Sequence, residues 1–119
     1  MSAKALSNFA QKAKATKNAS SKFTGSATAG RRIIPAQSKD ADWQVRIDAG
    51  HYDEETKKLN VKLQVNSQAT SPALREFTKK NSTHADLATG TFDTSAKDKD
   101  AEYNRMIDNL SADAKKNLG

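Results

Sequence analysis

Two stretches of alternating apolar and polar residues constrain the fold more than any other feature of the chain. Every second residue is apolar over 43–47, and again over 59–65. Such alternation, rich in β-branched residues, is typical of half-buried antiparallel strands. The sequence therefore predicts a β-hairpin with strands near 42–48 and 58–66, joined by a long polar loop. Trp43 falls on the apolar side and is expected in the core.

Later segments carry helix signals that would cover the apolar face of this hairpin. A two-stranded ribbon needs such a cover, because it is not stable alone in water. Ser71 followed by Pro72 is a start signal for a helix over 71–80. A stronger helix is predicted over 95–110, with Ser95 as its cap and a final short helix from Ser111 to near residue 118. The apolar stripe of the helix over 95–110 is formed by Tyr103, Met106, Ile107 and Leu110.

Two short stretches are compatible with additional strands. They are RRIIPA at 31–36 and LATGTF at 87–92, and Pro35 would confine the first to an edge of the sheet. Strands followed by helices are typical of the α+β class. We therefore predict a small antiparallel sheet packed on one face by C-terminal helices.

The positive charge of the chain is concentrated at its N-terminus. Residues 1–32 carry seven bases and no acid, whereas residues 33–119 carry 13 bases and 14 acids, so the net +6 originates in the first quarter. Few large apolar residues follow position 13, which predicts a segment that is mobile when alone. We expect a basic, largely extended arm over 1–38, with a short helix over 3–15, and a small α+β domain over 39–119.

Four roles of this arm remain open at the level of sequence. It could neutralise nucleic-acid phosphates, dock on an acidic protein surface, target an organelle, or remain a solvated tail. We favour a non-enzymatic accessory protein that contacts DNA or RNA electrostatically and without strong sequence specificity. The bases assigned to this contact are Lys4, Lys12, Lys14, Lys17, Lys22, Arg31 and Arg32, with Arg46 and Lys62 extending the path across the sheet.

The alternative is a structural or inhibitory interaction protein of the kind that phages and viruses encode. Its arm would dock on a neighbouring protein in an assembly, with Leu6 and Phe9 as anchors. Arg46 and Lys62 also have a simpler interpretation, which is charge pairing within the sheet, for example with Asp48. The arm hypothesis fails if the segment packs inside its own fold with its lysines matched to internal acids.

No pattern in the sequence indicates catalysis, so an enzyme is the least favoured class and no cofactor is expected. His51, Asp53, Glu54 and Glu55 are close in sequence but match no metal-ligand pattern, which favours a solvated loop. Without cysteine, disulfides and thiolate sites are excluded. No apolar run reaches membrane-spanning length and no secretory signal is visible, so we expect a protein of the cytoplasm or of a virion.

Overall fold

A computed structural model describes residues 10–11, 13–15, 18–34, 45–65 and 86–118. They form an α+β fold, as predicted, in which a four-stranded antiparallel sheet of order β1-β2-β3-β4 packs against one long C-terminal helix. The elements are β1 (Arg32–Ile34), β2 (Val45–Asp53), β3 (Lys58–Val65), β4 (Asp86–Asp93) and α1 (Lys99–Leu118).

The predicted hairpin is present as β2 and β3, with Ile47 opposite Leu63 and Ala49 opposite Val61. The prediction of a long connecting loop was wrong, because β2 continues to Asp53 and only residues 54–57 form the turn. The reason is a β-bulge between Ala49 and Tyr52, which inserts one residue and interrupts the alternation on which the prediction depended.

The tip of the hairpin is stabilised by the carboxylate of Asp53. Its Oδ1 accepts hydrogen bonds from the backbone N–H of Glu55 at 2.9 Å and of Thr56 at 3.4 Å. These bonds hold the pKa of Asp53 below its usual value. Lys57, with φ of 62°, then turns the chain into β3 through the left-handed region.

The two weaker strand predictions are confirmed as β1 and β4. β1 pairs with β2, and β4 pairs with β3 along its length, so that both lie at ends of the described sheet. Gly90 of β4 lies under α1, where a Cβ would approach Leu110 Cδ2 to 3.3 Å. The small residue therefore lets the helix pack closely on the strand.

Helix α1 differs from the prediction in its limits. It is one continuous helix from Lys99 to Leu118 rather than a helix over 95–110 followed by a short one. Asp98, not Ser95, caps the N-terminus of the helix. The Oδ1 of Asp98 accepts a hydrogen bond from the N–H of Ala101 at 3.0 Å. The predicted apolar stripe is buried, and Ala114 continues it, which explains why Ser111 does not end the helix.

The expectation of an extended arm that does not join the core was wrong for the residues that the structure describes. Ala13, Ala19, Phe23 and Ile33 are buried in one hydrophobic cluster with the sheet and α1. Between them lie two short 3₁₀ helices, Ala19–Lys22 and Gly25–Ala27. These buried side chains dock the segment on the sheet and on α1.

Other predictions fall outside the described residues. They are residues 3–9 of the predicted short helix over 3–15, the helix over 71–80, the position of Trp43, and the domain boundary at 38/39. Within the described ranges, no helix has both the length and the apolar character needed to cross a bilayer.

Candidate nucleic-acid interface

The basic segment over residues 13–33, called the N-terminal segment below, is anchored by Phe23. The ring of Phe23 is fully buried and stacks on Phe92 of β4 with centroids 4.9 Å apart. It also meets Tyr103 of α1 at 5.8 Å, in a tilted arrangement. These ring contacts join the segment to both the sheet and the helix.

A second anchor is the close approach of Gly25 to the ring of Tyr52. Gly25 has φ of 89°, and a Cβ there would lie 3.0 Å from Cζ of Tyr52. Only glycine adopts this backbone conformation at little cost, and only glycine leaves room for the ring. The chain can therefore turn tightly beneath β2 on its way to β1.

Three polar contacts fix the segment along one side of α1. The phenol of Tyr103 donates to the carbonyl of Ala13 at 2.8 Å, and Ser20 donates to Asp100 at 2.6 Å. Lys14 Nζ lies 2.5 Å from Asp108 Oδ1 in a solvent-exposed ion pair. Exposed pairs of this kind contribute roughly 0–1 kcal/mol, so this ion pair adds little to the docking of the segment.

The observations that would contradict a free basic arm are therefore present in part. The segment is packed into the fold, and Lys14 is matched to an acid. Arg31 is exposed and Lys22 is half-buried. In the part of the chain that the structure describes, neither side chain has an ion-pair partner. Of Arg32, the backbone alone is described, opposite Asp48. Outside the description lie Lys4, Leu6, Phe9, Lys12 and Lys17.

Arg46 and Lys62 lie on the sheet face opposite α1, where they belong to a cross-strand network. Arg46 donates to Gln64 Oε1 at 3.0 and 3.3 Å and pairs with Asp48 at 3.2 Å, and its side chain is only 13% exposed. Lys62 lies 3.5 Å from Asp86, which also accepts a hydrogen bond from Gln64. These contacts favour the simpler interpretation, charge pairing within the sheet, over an extension of the basic path.

Asp100 and Asp108 were not singled out from the sequence, although both meet the N-terminal segment. Their spacing of eight residues could have indicated that both acids lie on the same side of a helix. The spacing does not indicate which segment of the chain packs against that side.

The acidic hairpin tip shows no geometry for a metal site. Asp53 is engaged with the backbone of its own turn, and the side chains of His51, Glu54 and Glu55 are exposed. Over the described ranges, no group of three or more His, Cys, Asp or Glu side chains converges to hold a metal ion.

Comparison with known protein families gives a match over most of the chain. The family model described as "Subtelomeric hrmA-associated cluster protein" matches residues 1–109, which include the whole sheet and the first half of α1. No curated protein and no solved structure matches the chain. The family description names no ligand, reaction or partner.

Proposed function

The chain belongs to the family of subtelomeric hrmA-associated cluster proteins, and we propose that it is a non-enzymatic accessory protein that contacts nucleic acid. The contact is electrostatic, made to phosphates, and has no strong sequence specificity. The observation that supports it is the division of the N-terminal segment into apolar residues that face the core and bases at the surface. Ala19 and Phe23 are buried, whereas Arg31 is exposed and Lys22 half-exposed.

The docked segment presents positive charge without losing chain entropy on binding. A mobile arm must be ordered when it meets a phosphate backbone, which reduces affinity. Here the backbone around Lys22 and Arg31 is already held by Phe23, Gly25 and the pairing of β1. The first 32 residues have no acid that would repel phosphates.

Docking on an acidic protein surface is the runner-up. Its proposed anchors, Leu6 and Phe9, lie outside the described residues, and no described contact favours it. The family match does not bear on a phage or viral origin, so that part stays a prediction. Either role implies a location inside a cell or particle, which we include in the proposal.

The proposal is tested by measuring the affinity of the full chain for a duplex oligonucleotide as a function of salt. Each neutralised phosphate contributes roughly 0.9 to the slope of log affinity against log salt on duplex DNA, and roughly 0.7 on single strands. Replacing Lys22 and Arg31 by Gln should lower the magnitude of the duplex slope by about 2 if both contact phosphates.

The matched control replaces Lys97 and Lys99 by Gln. Both are exposed and lie near the start of α1, and the net charge changes equally. We expect this control to bind almost as the unmodified chain does. Equal losses in both variants would show that binding follows net charge and not the N-terminal segment. A chain that fails to bind duplex or single strands at low salt would overturn the function itself.

A further inference from the structure

The outer edge of β4 is occupied by side chains of α1. β4 is an end strand of the described sheet, so the backbone groups that point away from β3 have no strand partner there. Four side chains of α1, called the edge clamp below, bond to these groups instead. Glu102 accepts from Asp93 N–H at 2.7 Å, Arg105 donates to Thr91 O at 2.9 Å, Asp113 accepts from Thr89 N–H at 3.4 Å, and Asn117 donates to Leu87 O at 2.7 Å.

The clamp follows the strand with the correct chemistry at each step. At every second residue of β4 the N–H and the carbonyl both point outward. At four such residues α1 bonds one of the two groups, namely the carbonyls of Leu87 and Thr91 and the N–H groups of Thr89 and Asp93. On the helix the clamp forms a stripe beside the buried apolar stripe. Packing of the apolar stripe therefore brings the clamp to the edge.

Glu102 and Arg105 also hold each other in place. Arg105 donates to both carboxylate oxygens of Glu102, from Nε at 2.6 Å and from Nη2 at 2.7 Å. Bidentate pairs of this kind fix the geometry of both groups. The ion pair within α1 therefore orients both side chains toward the edge of β4.

An end strand with unpaired N–H and C=O groups is a template for strand addition from another chain. Natural proteins often cover such an edge, and here the cover makes four of the hydrogen bonds that an added strand would make. We propose that the edge clamp closes a strand-addition site, and that its removal lets β4 pair with β4 of a second copy of this chain.

A second copy is the occupant to which the edge is best matched. Antiparallel pairing about a two-fold axis brings the same alternating donors and acceptors face to face, so the edge is complementary to itself. Because the backbone groups of residues 87, 89, 91 and 93 point outward, such a pair would place Leu87 opposite Asp93 of the other copy and Thr89 opposite Thr91. The association is best measured at high salt, where contacts with nucleic acid would weaken. The inference does not depend on the proposed function.

The first test is hydrogen exchange of the unmodified chain. The amides of Thr89 and Asp93 should exchange about tenfold or more slowly than the same amides in the unfolded chain, because they donate to carboxylates. Glu102→Ala should remove the protection of Asp93, and Glu102→Gln, which keeps an acceptor oxygen, should restore part of it. Rapid exchange of both amides in the unmodified chain would overturn the inference, whatever the variants do.

The second test is sedimentation velocity of a variant with Glu102→Ala and Asp113→Ala. We expect a concentration-dependent dimer, whereas the control with Glu54→Ala and Glu55→Ala, which changes the charge equally at exposed positions, should remain a monomer. Adding Thr89→Pro to the clamp variant removes one outward N–H and should reverse the association. A folded clamp variant that remains monomeric at high salt contradicts the inference. If the clamp variant does not fold, the exchange rates of the unmodified chain decide.

Discussion

The phenol of Tyr103 donates a 2.8 Å hydrogen bond to the backbone carbonyl of Ala13, ninety positions earlier in the chain. Both residues are buried, with 4% and 1% of their surface exposed. A buried carbonyl needs a partner, and here the partner comes from the apolar stripe of α1. The bond joins the first described turn of the chain to its last helix, and the stability of the whole fold is therefore sensitive to it.

Tyr103→Phe should lower the free energy of unfolding by about 1–2 kcal/mol, because the carbonyl of Ala13 is left buried without a donor. Chemical denaturation followed by circular dichroism measures this. Tyr52→Phe is the control, since its hydroxyl lies 3.4 Å from Thr94 Oγ1 and makes a weaker contact. Equal losses in the two variants would contradict the special role of the Tyr103 bond.

The stability of the protein should also decrease in alkaline solution because of Tyr103. Burial raises the pKa of its phenol to about 12 from an ordinary value of 10.0. The folded state therefore keeps a proton that the unfolded state releases, and stability falls as pH rises through this interval. Ultraviolet titration should show a late-ionising phenol that is missing in Tyr103→Phe. A phenol that ionises at its ordinary pH in the folded chain would contradict the prediction.

Phe23→Ala tests whether the N-terminal segment belongs to the fold. Removing a fully buried phenyl ring that contacts Phe92 and Tyr103 should cost about 3–5 kcal/mol. Ser26→Ala, at an exposed position of the same segment, should have almost no effect. If Phe23→Ala is as stable as this control, the segment behaves as the free arm that the sequence suggested.

The contrast between the hairpin and the N-terminal segment shows what the sequence alone could predict. Alternation over 59–65 is a local signal, and it predicted β3 with nearly correct limits. The docking of Phe23 depends on Phe92 and Tyr103, which come much later in the chain, so no local pattern could reveal it. The composition of the segment predicted mobility because it contains few large apolar residues. Composition does not show that one of them, Phe23, packs against residues of the sheet and of α1.

The candidate site shows the same limit. The clustering of bases before residue 33 is evident from the sequence. The ion pair between Lys14 and Asp108 could not be predicted, because it depends on the packing of two distant segments. The edge clamp was hidden for another reason. No local pattern around Glu102 indicates its role, which appears only once β4 lies beside the helix.

Gly25→Ala should destabilise the fold more than Gly30→Ala. Both glycines have positive φ, 89° and 80°, so both substitutions strain the backbone by about 1–2 kcal/mol. Only at Gly25 would the new Cβ also meet the ring of Tyr52 at 3.0 Å, whereas at Gly30 nothing lies within 4 Å. Thermal denaturation of the two variants separates strain from collision. Equal losses would show that the ring of Tyr52 moves aside freely.

Acid should weaken the edge clamp through Glu102. Hydrogen bonds from Arg105, reinforced by the N–H of Asp93, hold the pKa of Glu102 below its ordinary value of 4.5. A carboxyl whose pKa is lower in the folded state stabilises the fold above its unfolded pKa, and this contribution is lost as pH falls through the folded pKa. Stability should therefore fall less steeply below pH 4.5 in Glu102→Gln than in the unmodified chain, with Glu54→Gln as the exposed control. Urea denaturation between neutral pH and the acid range measures the slopes. Parallel slopes for the unmodified chain and Glu102→Gln would show that Glu102 does not contribute to the acid sensitivity of the fold.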